Sequence, residues 1–380
     1  MTRKYPQNAP LLPAIAAVIG FVGLNGASMA VASPSATHTA APTSLRPWSP
    51  VHGHTQALVA IAGENSGTEL TDFAIPYGVL KRAGIDTVTV AAHQGPLRFR
   101  PALKAQLDST MAEFDLQHPE GADYVVVPAM VNYKDPTVTA WLAEQSRKGA
   151  TVVSICDGAL VVGSAGLLDG KWATAHWASE SVRLKAFPTA HWVRNTRYVA
   201  DGNVVSSAGI SAAMPTALAL VEAIAGTQRA SAVAREIGVA DWSPRHDSDA
   251  FRPHYGNLSA FAIKLIINPY LHGTDKFGVP LVPGMDEINL AVTADAYSRT
   301  GRSRVISIAP KPGPIPTLNG LRILPDAVGK TKDVDVVLPR IDSTLPGKAF
   351  DNVLASIKSR YGRKTAFGVA LDFEYPGFNP

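Results

Sequence analysis

The feature that most restricts the fold is a set of short apolar stretches spaced by helix-length segments. Leu58-Val-Ala-Ile-Ala62 stops at Gly63, Thr87-Val-Thr-Val-Ala91 follows, then Tyr124-Val-Val-Val-Pro128 and Thr151-Val-Val-Ser-Ile-Cys156. Between them, Asp72–Ala83 has amphipathic spacing closed by Gly84, and Pro136–Lys148 is stopped by Gly149. A further strand at Asn203–Ser207 precedes a helix at Ala213–Ala225 ended by Gly226. Strands that are apolar along their whole length have both faces buried, as in parallel sheets covered by helices. The pattern therefore predicts an α/β protein with a mostly parallel sheet, whose sites form beyond the carboxyl ends of the strands. Gly63 and Cys156 both fall at such ends.

Cys156 is the only cysteine in 380 residues. A β-branched run ends at it and a small-residue helix begins with Asp157-Gly-Ala-Leu-Val-Val-Gly-Ser164. That strand-turn-helix shape is a nucleophile elbow, which exposes the side chain on a tight turn beside the helix's first N–H groups. The positive end of the helix predicts a thiol pKa below its free value of roughly 8.5. The alternative is an inert cysteine buried at the end of a core strand.

Composition bounds the setting. Apolar residues make up 46% and charged ones 17%, with 31 Gly and 29 Pro, enough apolar content for a core in a loop-rich α/β chain. The chain begins Met1-Thr-Arg3-Lys4, carries an apolar stretch from Leu11 to Leu24, and offers Ala30-Val-Ala32 as a cleavage site, the layout of a signal peptide over 1–32. Periplasmic or secreted localisation is expected. The alternative is an uncleaved N-terminal helix anchoring the chain to a membrane. Removing Arg3 and Lys4 takes the formal net charge from +4 to +2, so the basic balance says nothing of nucleic acid, and no basic-aromatic run or helix-turn-helix pattern is present. In an oxidising compartment one cysteine cannot close an internal disulfide.

Residues 33–55 read as a flexible Ser/Thr/Pro/Ala-rich leader, 56–238 as the first α/β unit and 239–275 as a polar, Pro-containing connector. Residues 276–380 echo the first unit. Tyr77-Gly-Val-Leu-Lys-Arg82 is matched at an offset of 217 by Ala294-Asp-Ala-Tyr-Ser-Arg299. At similar separations Thr87–Ala91 is echoed by Arg304–Ala309, Gly95-Pro96 by Gly313-Pro314, and Val125–Pro128 by Val336–Pro339. Asn289 stands where the offset would place a copy of Asp72, and no second cysteine follows, so the expectation is a partial repeat without thiol chemistry.

Four stretches together resemble the ThiJ/PfpI family of the class I glutamine amidotransferase-like superfamily. They are Glu69-Leu-Thr-Asp72-Phe-Ala-Ile-Pro76, Ile155-Cys156-Asp-Gly158-Ala159, Gly166–Trp177 and Ser206-Ser-Ala-Gly209. The resemblance covers about residues 56–238, and the stretch Gly166–Trp177 is most similar to the branch holding isonitrile hydratases and the sensing halves of AraC-type regulators. It implies a flavodoxin-like α/β/α sandwich. It also implies that Asp72 is the acidic residue beside the cysteine, exchanging its proton, and that His176 matches the histidine of the family's T-T-H motif. Asp157 departs from the His or Thr of other branches. As a carboxylate it opposes thiolate formation, and it removes the histidine of the protease branch. Its backbone N–H, with Gly63, is expected to form an oxyanion hole.

The expected function is a cofactor-independent cysteine enzyme, with Cys156, Asp72 and His176 as catalytic residues, that hydrates or hydrolyses a small electrophile and is not a protease. The alternative is a redox or ligand-sensing protein using the same pocket. No cofactor, metal or nucleic acid is expected, and the state is a homodimer or a pseudo-dimeric monomer. His52 and His54 in the leader make a weak metal candidate, and His246, Asp247, Asp249 and His254 read as a solvated connector.

Overall fold

The computed structural model describes residues 41–50, 53–329, 334–339 and 344–378. The expected signal peptide, residues 33–40 of the leader and His52 lie outside them.

In chain order the first unit contains β1 (Leu58–Gly63), α1 (Leu70–Arg82), β2 (Asp86–Ala91), β3 (Ser109–Thr110), β4 (Tyr124–Val127), α2 (Pro136–Arg147), β5 (Thr151–Ser154), α3 (Gly158–Ser164), β6 (Tyr198–Asp201), β7 (Val204–Ser207) and α4 (Ala213–Ile237). They form a seven-stranded sheet in the order β6-β7-β5-β4-β1-β2-β3. Only β6 runs antiparallel. Alternation along the buried strands splits the core in two. Val59, Ile61, Val126 and Val153 face one side with α1 and α4, while Leu58, Ala60, Val125 and Val152 face the other with Trp141 of α2 and Val161 of α3. This is the three-layer, flavodoxin-like α/β arrangement that fully apolar strands require.

The sequence placed the helix starts within two residues. The helix expected to end at Gly226 breaks there, with φ 83°, and resumes to Ile237. The expected polar connector differs more. It contains a helical stretch, Leu258–Leu271, whose Ala260 and Phe261 pack against Leu371.

The C-terminal half includes β8 (Asp275–Pro280), α5 (Glu287–Ser298), β9 (Ser303–Ala309), β10 (Ala327–Val328), β11 (Val336–Val337), α6 (Ala349–Tyr361) and α7 (Arg363–Phe373). Their four-stranded sheet runs β10-β9-β8-β11 and is parallel throughout, the order β3-β2-β1-β4 takes in the first sheet. Side-chain bonds recur as well. Asp108 accepts from Thr89 N and Oγ1 at 3.0 and 2.7 Å, and Asp326 accepts from Ser307 N and Oγ at 3.0 and 2.9 Å. Helices α1 and α5 pack against each other, so α1 is buried on nearly all sides.

Candidate active site

The elbow is built by three strand ends. Ile155, Cys156 and Asp157 link β5 to α3, and Cys156 adopts φ 55°, a left-handed conformation that costs a non-glycine residue about 1–3 kcal/mol. The turn is over-determined by its bonds. Ile155 N donates to Val127 O at 3.0 Å, Cys156 N to Ser207 Oγ at 3.2 Å, and Gly158 N to Ile155 O at 2.8 Å. Cys156 is only 5% exposed.

Asp72 lies in the first turn of α1, fully buried. It is not a helix cap, since the cap position is Glu69, which makes no side-chain capping bond. One carboxyl oxygen, Oδ2, accepts from Ala129 N at 3.2 Å just beyond β4, while Oδ1 is buried without a hydrogen-bond partner. Burial pushes this carboxyl well above the usual range, and the charges of Asp295 and Asp157 push it further, against the pull of Ala129 N–H and Arg299. A buried carboxyl with a free oxygen and a raised pKa is suited to holding a proton and giving it up.

The thiol departs from expectation. Burial, followed by the charges of Asp72, Asp157, Glu69 and Glu374, pushes Cys156 well above its ordinary value. The sequence-based argument from the helix N-terminus has the opposite sign because it left out burial, the largest cause, and the charges of Glu69 and Glu374 that the fold adds to those of Asp72 and Asp157. Asp157 itself is pushed up by burial, with His176, Ser179 and Arg183 pulling it down, and its Oδ1 is also buried without a partner.

Two other expected site residues are committed elsewhere. His176 Nδ1 accepts from Ala178 N at 3.1 Å and Nε2 donates to the Asp372 carbonyl at 2.9 Å. Both ring nitrogens are thereby used in a neutral tautomer that fixes the turn at Trp177, which is positioning rather than proton shuttling. Gly63 is paired with Ala91 in the β1–β2 ladder, and its carbonyl accepts from Ala92 N at 2.9 Å. A Cβ there would meet Leu97 at 2.8 Å, so sheet packing accounts for this glycine and the expected oxyanion role finds no support in its contacts.

The C-terminal half brings residues to the site that the sequence reading assigned elsewhere or passed over. Asp295 of α5, fully buried, accepts from Thr71 Oγ1 at 2.8 Å and from Arg299 Nε at 2.5 Å, and Arg299 Nη2 reaches Glu69 at 2.6 Å. Glu374, at the end of α7, accepts from Trp177 N and from His246 Nε2, both at 2.8 Å. His246 therefore belongs to the rim of the site, not to a solvated connector. Arg183, nearly fully buried, donates to the His176 carbonyl at 2.6 Å and to Ser179 Oγ at 3.1 Å. Only the 217-residue match of Arg299 to Arg82 hinted at any of these partners. His54 bonds Asp123 at 2.7 Å and Glu120 at 3.2 Å, and no metal-ligand cluster occurs among the described residues.

Comparison with known proteins identifies the family of this segment. The DJ-1/PfpI family model matches residues 56–223. Isonitrile hydratase of Pseudomonas putida is 34% identical over 113 residues, which are 29% of this chain and 47% of the hydratase. The HTH-type transcriptional regulator CdhR of Pseudomonas aeruginosa is 32% identical over 30% of this chain and 33% of its own length. The chain thus spans about half of the first relative and a third of the second. Drosophila melanogaster DJ-1beta is 29% identical over 48% of this chain and 97% of its own. Its crystal structure superposes with a TM-score of 0.45 and 23% identity, covering 49% of this chain and all of that one. The segment holding the elbow, Asp72 and His176 is a DJ-1/PfpI family domain, and it is to this family that residues 56–223 belong.

Proposed function

We propose that this domain is a cofactor-independent cysteine enzyme that hydrates or hydrolyses a small electrophile. The observation that carries the reading is Asp72, fully buried, whose unpartnered Oδ1 and raised carboxyl pKa accompany a cysteine held at positive φ. Neither feature stabilises the fold. An orphaned buried carboxyl oxygen and a left-handed cysteine each cost energy, as functional sites commonly do.

For an isonitrile, the substrate class named by one relative, the sulfur of Cys156 bonds to the terminal carbon as Asp72, in its carboxylate form, takes the thiol proton and passes it to that same carbon, giving a thioimidate. Asp72, now a carboxylate, takes a proton from water as the water oxygen adds to the same carbon. Asp72 gives that proton to the substrate nitrogen, the S–C bond breaks as the added hydroxyl loses its proton to the leaving sulfur through Asp72, and an N-substituted formamide leaves. The N–H of Asp157 is the donor proposed to hold the developing charge, because Gly158 N–H is already bonded.

The C-terminal half takes the place of a second subunit in this proposal. Arg82 pairs with Asp286 and Glu287 across α1 and α5, and Arg299 pairs with Glu69 and Asp295. Arg82 and Arg299, and likewise Glu69 and Asp286, are 217 positions apart, so the pairs Arg82–Asp286 and Arg299–Glu69 are reciprocal, as across the two-fold axis of a dimer. The proposal includes export with loss of residues 1–32, which the intact mass of the mature chain checks.

The test is turnover of a small alkyl isonitrile followed by formamide production. Wild-type protein is expected to form the formamide, and Cys156→Ser and Asp72→Asn each to reduce the rate by about 100-fold or more. Equal rates in wild type and Asp72→Asn would remove Asp72 from the chemistry. A folded wild-type protein that turns over no isonitrile or small aldehyde would favour a binding or sensing protein, the reading that the near-complete burial of Cys156 supports.

A further inference from the structure

The helical stretch Leu258–Leu271 is apolar on both of its faces. Its inner face, Ala260, Phe261, Lys264 and Asn268, is buried at helical spacing, and Ala260 and Phe261 pack against Leu371 of α7. A helix on the surface of a soluble domain turns its charges to water. Here the one charged side chain of the stretch, Lys264, is buried and pairs inward with Asp372. The outer face instead presents Leu258, Ile266, Ile267, Tyr270 and Leu271, with Tyr255 just before it. Tyr255 is 96% exposed, Tyr270 73%, Leu271 74% and Ile266 50%. Large apolar side chains gathered on one exposed face mark an interaction surface.

The charges beside this face say what it meets. No Asp or Glu occurs between Asp249 and Asp275. Asn268 Nδ2 donates to Thr365 Oγ1 at 3.1 Å, which sets the first turn of α7 beside the C-terminal end of the stretch. Arg363 and Lys364 of that turn are both exposed, and α7 has no acid before Asp372. An apolar face edged by cations is complementary to an anionic lipid surface. The exposed tyrosines suit the boundary between headgroups and acyl chains. A second copy docked here across a two-fold axis would bring the same acid-free, cationic edge against itself.

We infer that the outer face of Leu258–Leu271 docks the folded domain on an anionic phospholipid bilayer, with the stretch lying in the headgroup region. It is too short to cross a bilayer, which takes about 20 apolar residues. Ile266, Ile267, Tyr270 and Leu271 enter the boundary of the acyl chains, while Arg363 and Lys364 meet the lipid phosphates. This contact is separate from the cysteine chemistry, and neither depends on the other.

The experiment floats the full folded chain with two kinds of vesicle, phosphatidylcholine alone and phosphatidylcholine mixed equally with phosphatidylglycerol. Wild type is expected to bind the mixed vesicles at least about tenfold better, and the preference should vanish in about 1 M salt. Ile266→Ser and Tyr270→Ser should each weaken binding to the mixed vesicles by about fivefold or more. Both side chains are exposed, so neither variant should melt earlier than wild type. Arg363→Gln combined with Lys364→Gln should remove the preference for the anionic vesicles and leave binding to the neutral ones unchanged. The variants decide the result, because Leu11–Leu24 is itself apolar. Equal binding by wild type and both serine variants would assign the lipid contact to another segment and overturn the inference. Equal binding to the two kinds of vesicle would overturn it too. So would a concentration-dependent dimer that the serine variants lose, since the face would then be a contact between copies.

Discussion

Gly158→Ala is expected to destabilise the protein by about 3 kcal/mol or more, lowering its melting temperature by several degrees. A Cβ at residue 158 would stand 2.0 Å from the carbonyl oxygen of Val127 and 3.0 Å from its carbon. Both atoms are backbone of β4, so no rotamer change relieves the clash. Relief would require α3 to move off β4, which breaks the bond from Ile155 N to Val127 O that sets the elbow. Gly63→Ala is the control. Its nearest contact is the flexible end of Leu97 at 2.8 Å, so its loss should be much smaller. Urea unfolding of the two variants decides. Equal stabilities would mean that the close approach of α3 to β4 does not hold the cysteine in place.

The second large effect is expected at Arg299. Its guanidinium holds Glu69 at 2.6 Å and Asp295 at 2.5 Å, in a region where Asp295 is fully buried and Asp72 lies nearby. Removing one partner of a buried ion pair leaves the other charge uncompensated, which costs about 3–5 kcal/mol. Arg299→Met should lose about that much, and Arg299→Lys less, since it keeps the charge but not the two-pronged geometry. The interface between α1 and α5 lies within one chain, so the urea midpoint should not depend on protein concentration. A midpoint that rises with concentration would place an essential pairing between chains and contradict the proposed fused arrangement.

What the sequence revealed and what it hid follow the range of the interactions involved. The strand-turn-helix at Cys156 was legible because it is local, a β-branched run followed by small residues, with Gly158 required by the approach to Val127. Asp72 was legible from its spacing to Ile75-Pro76 in a family pattern. The contacts that hold His176 and Gly63 were not legible because their partners were not visible. The carbonyl that engages His176 belongs to Asp372, 196 positions away, and the side chain closing over Gly63 is Leu97. The sign of the Cys156 shift was missed for the same reason. The helix start beside it is local, whereas the burial that dominates the shift comes from the packed fold, with Glu374 adding a smaller push from the end of the chain. His246 and Glu374 are 128 positions apart, and Glu69 and Arg299 are 230 apart, separations at which no periodicity or motif carries a signal.

The central claim is that Asp72 and Cys156 share a proton and act as one unit. The most direct test is the pH dependence of Cys156 alkylation by iodoacetamide, in wild type and in Asp72→Asn. Burial and Asp295 keep the Asp72 carboxyl protonated beyond the ordinary carboxylate range, and on the proposed mechanism its first ionisation is shared with the thiol. The second is driven to high pH because it places two anions side by side. The account predicts a two-step profile for wild type, with a reactive plateau between the steps, and a single step for Asp72→Asn. One step of the same midpoint in both proteins would show that the two groups titrate independently, and would contradict the account.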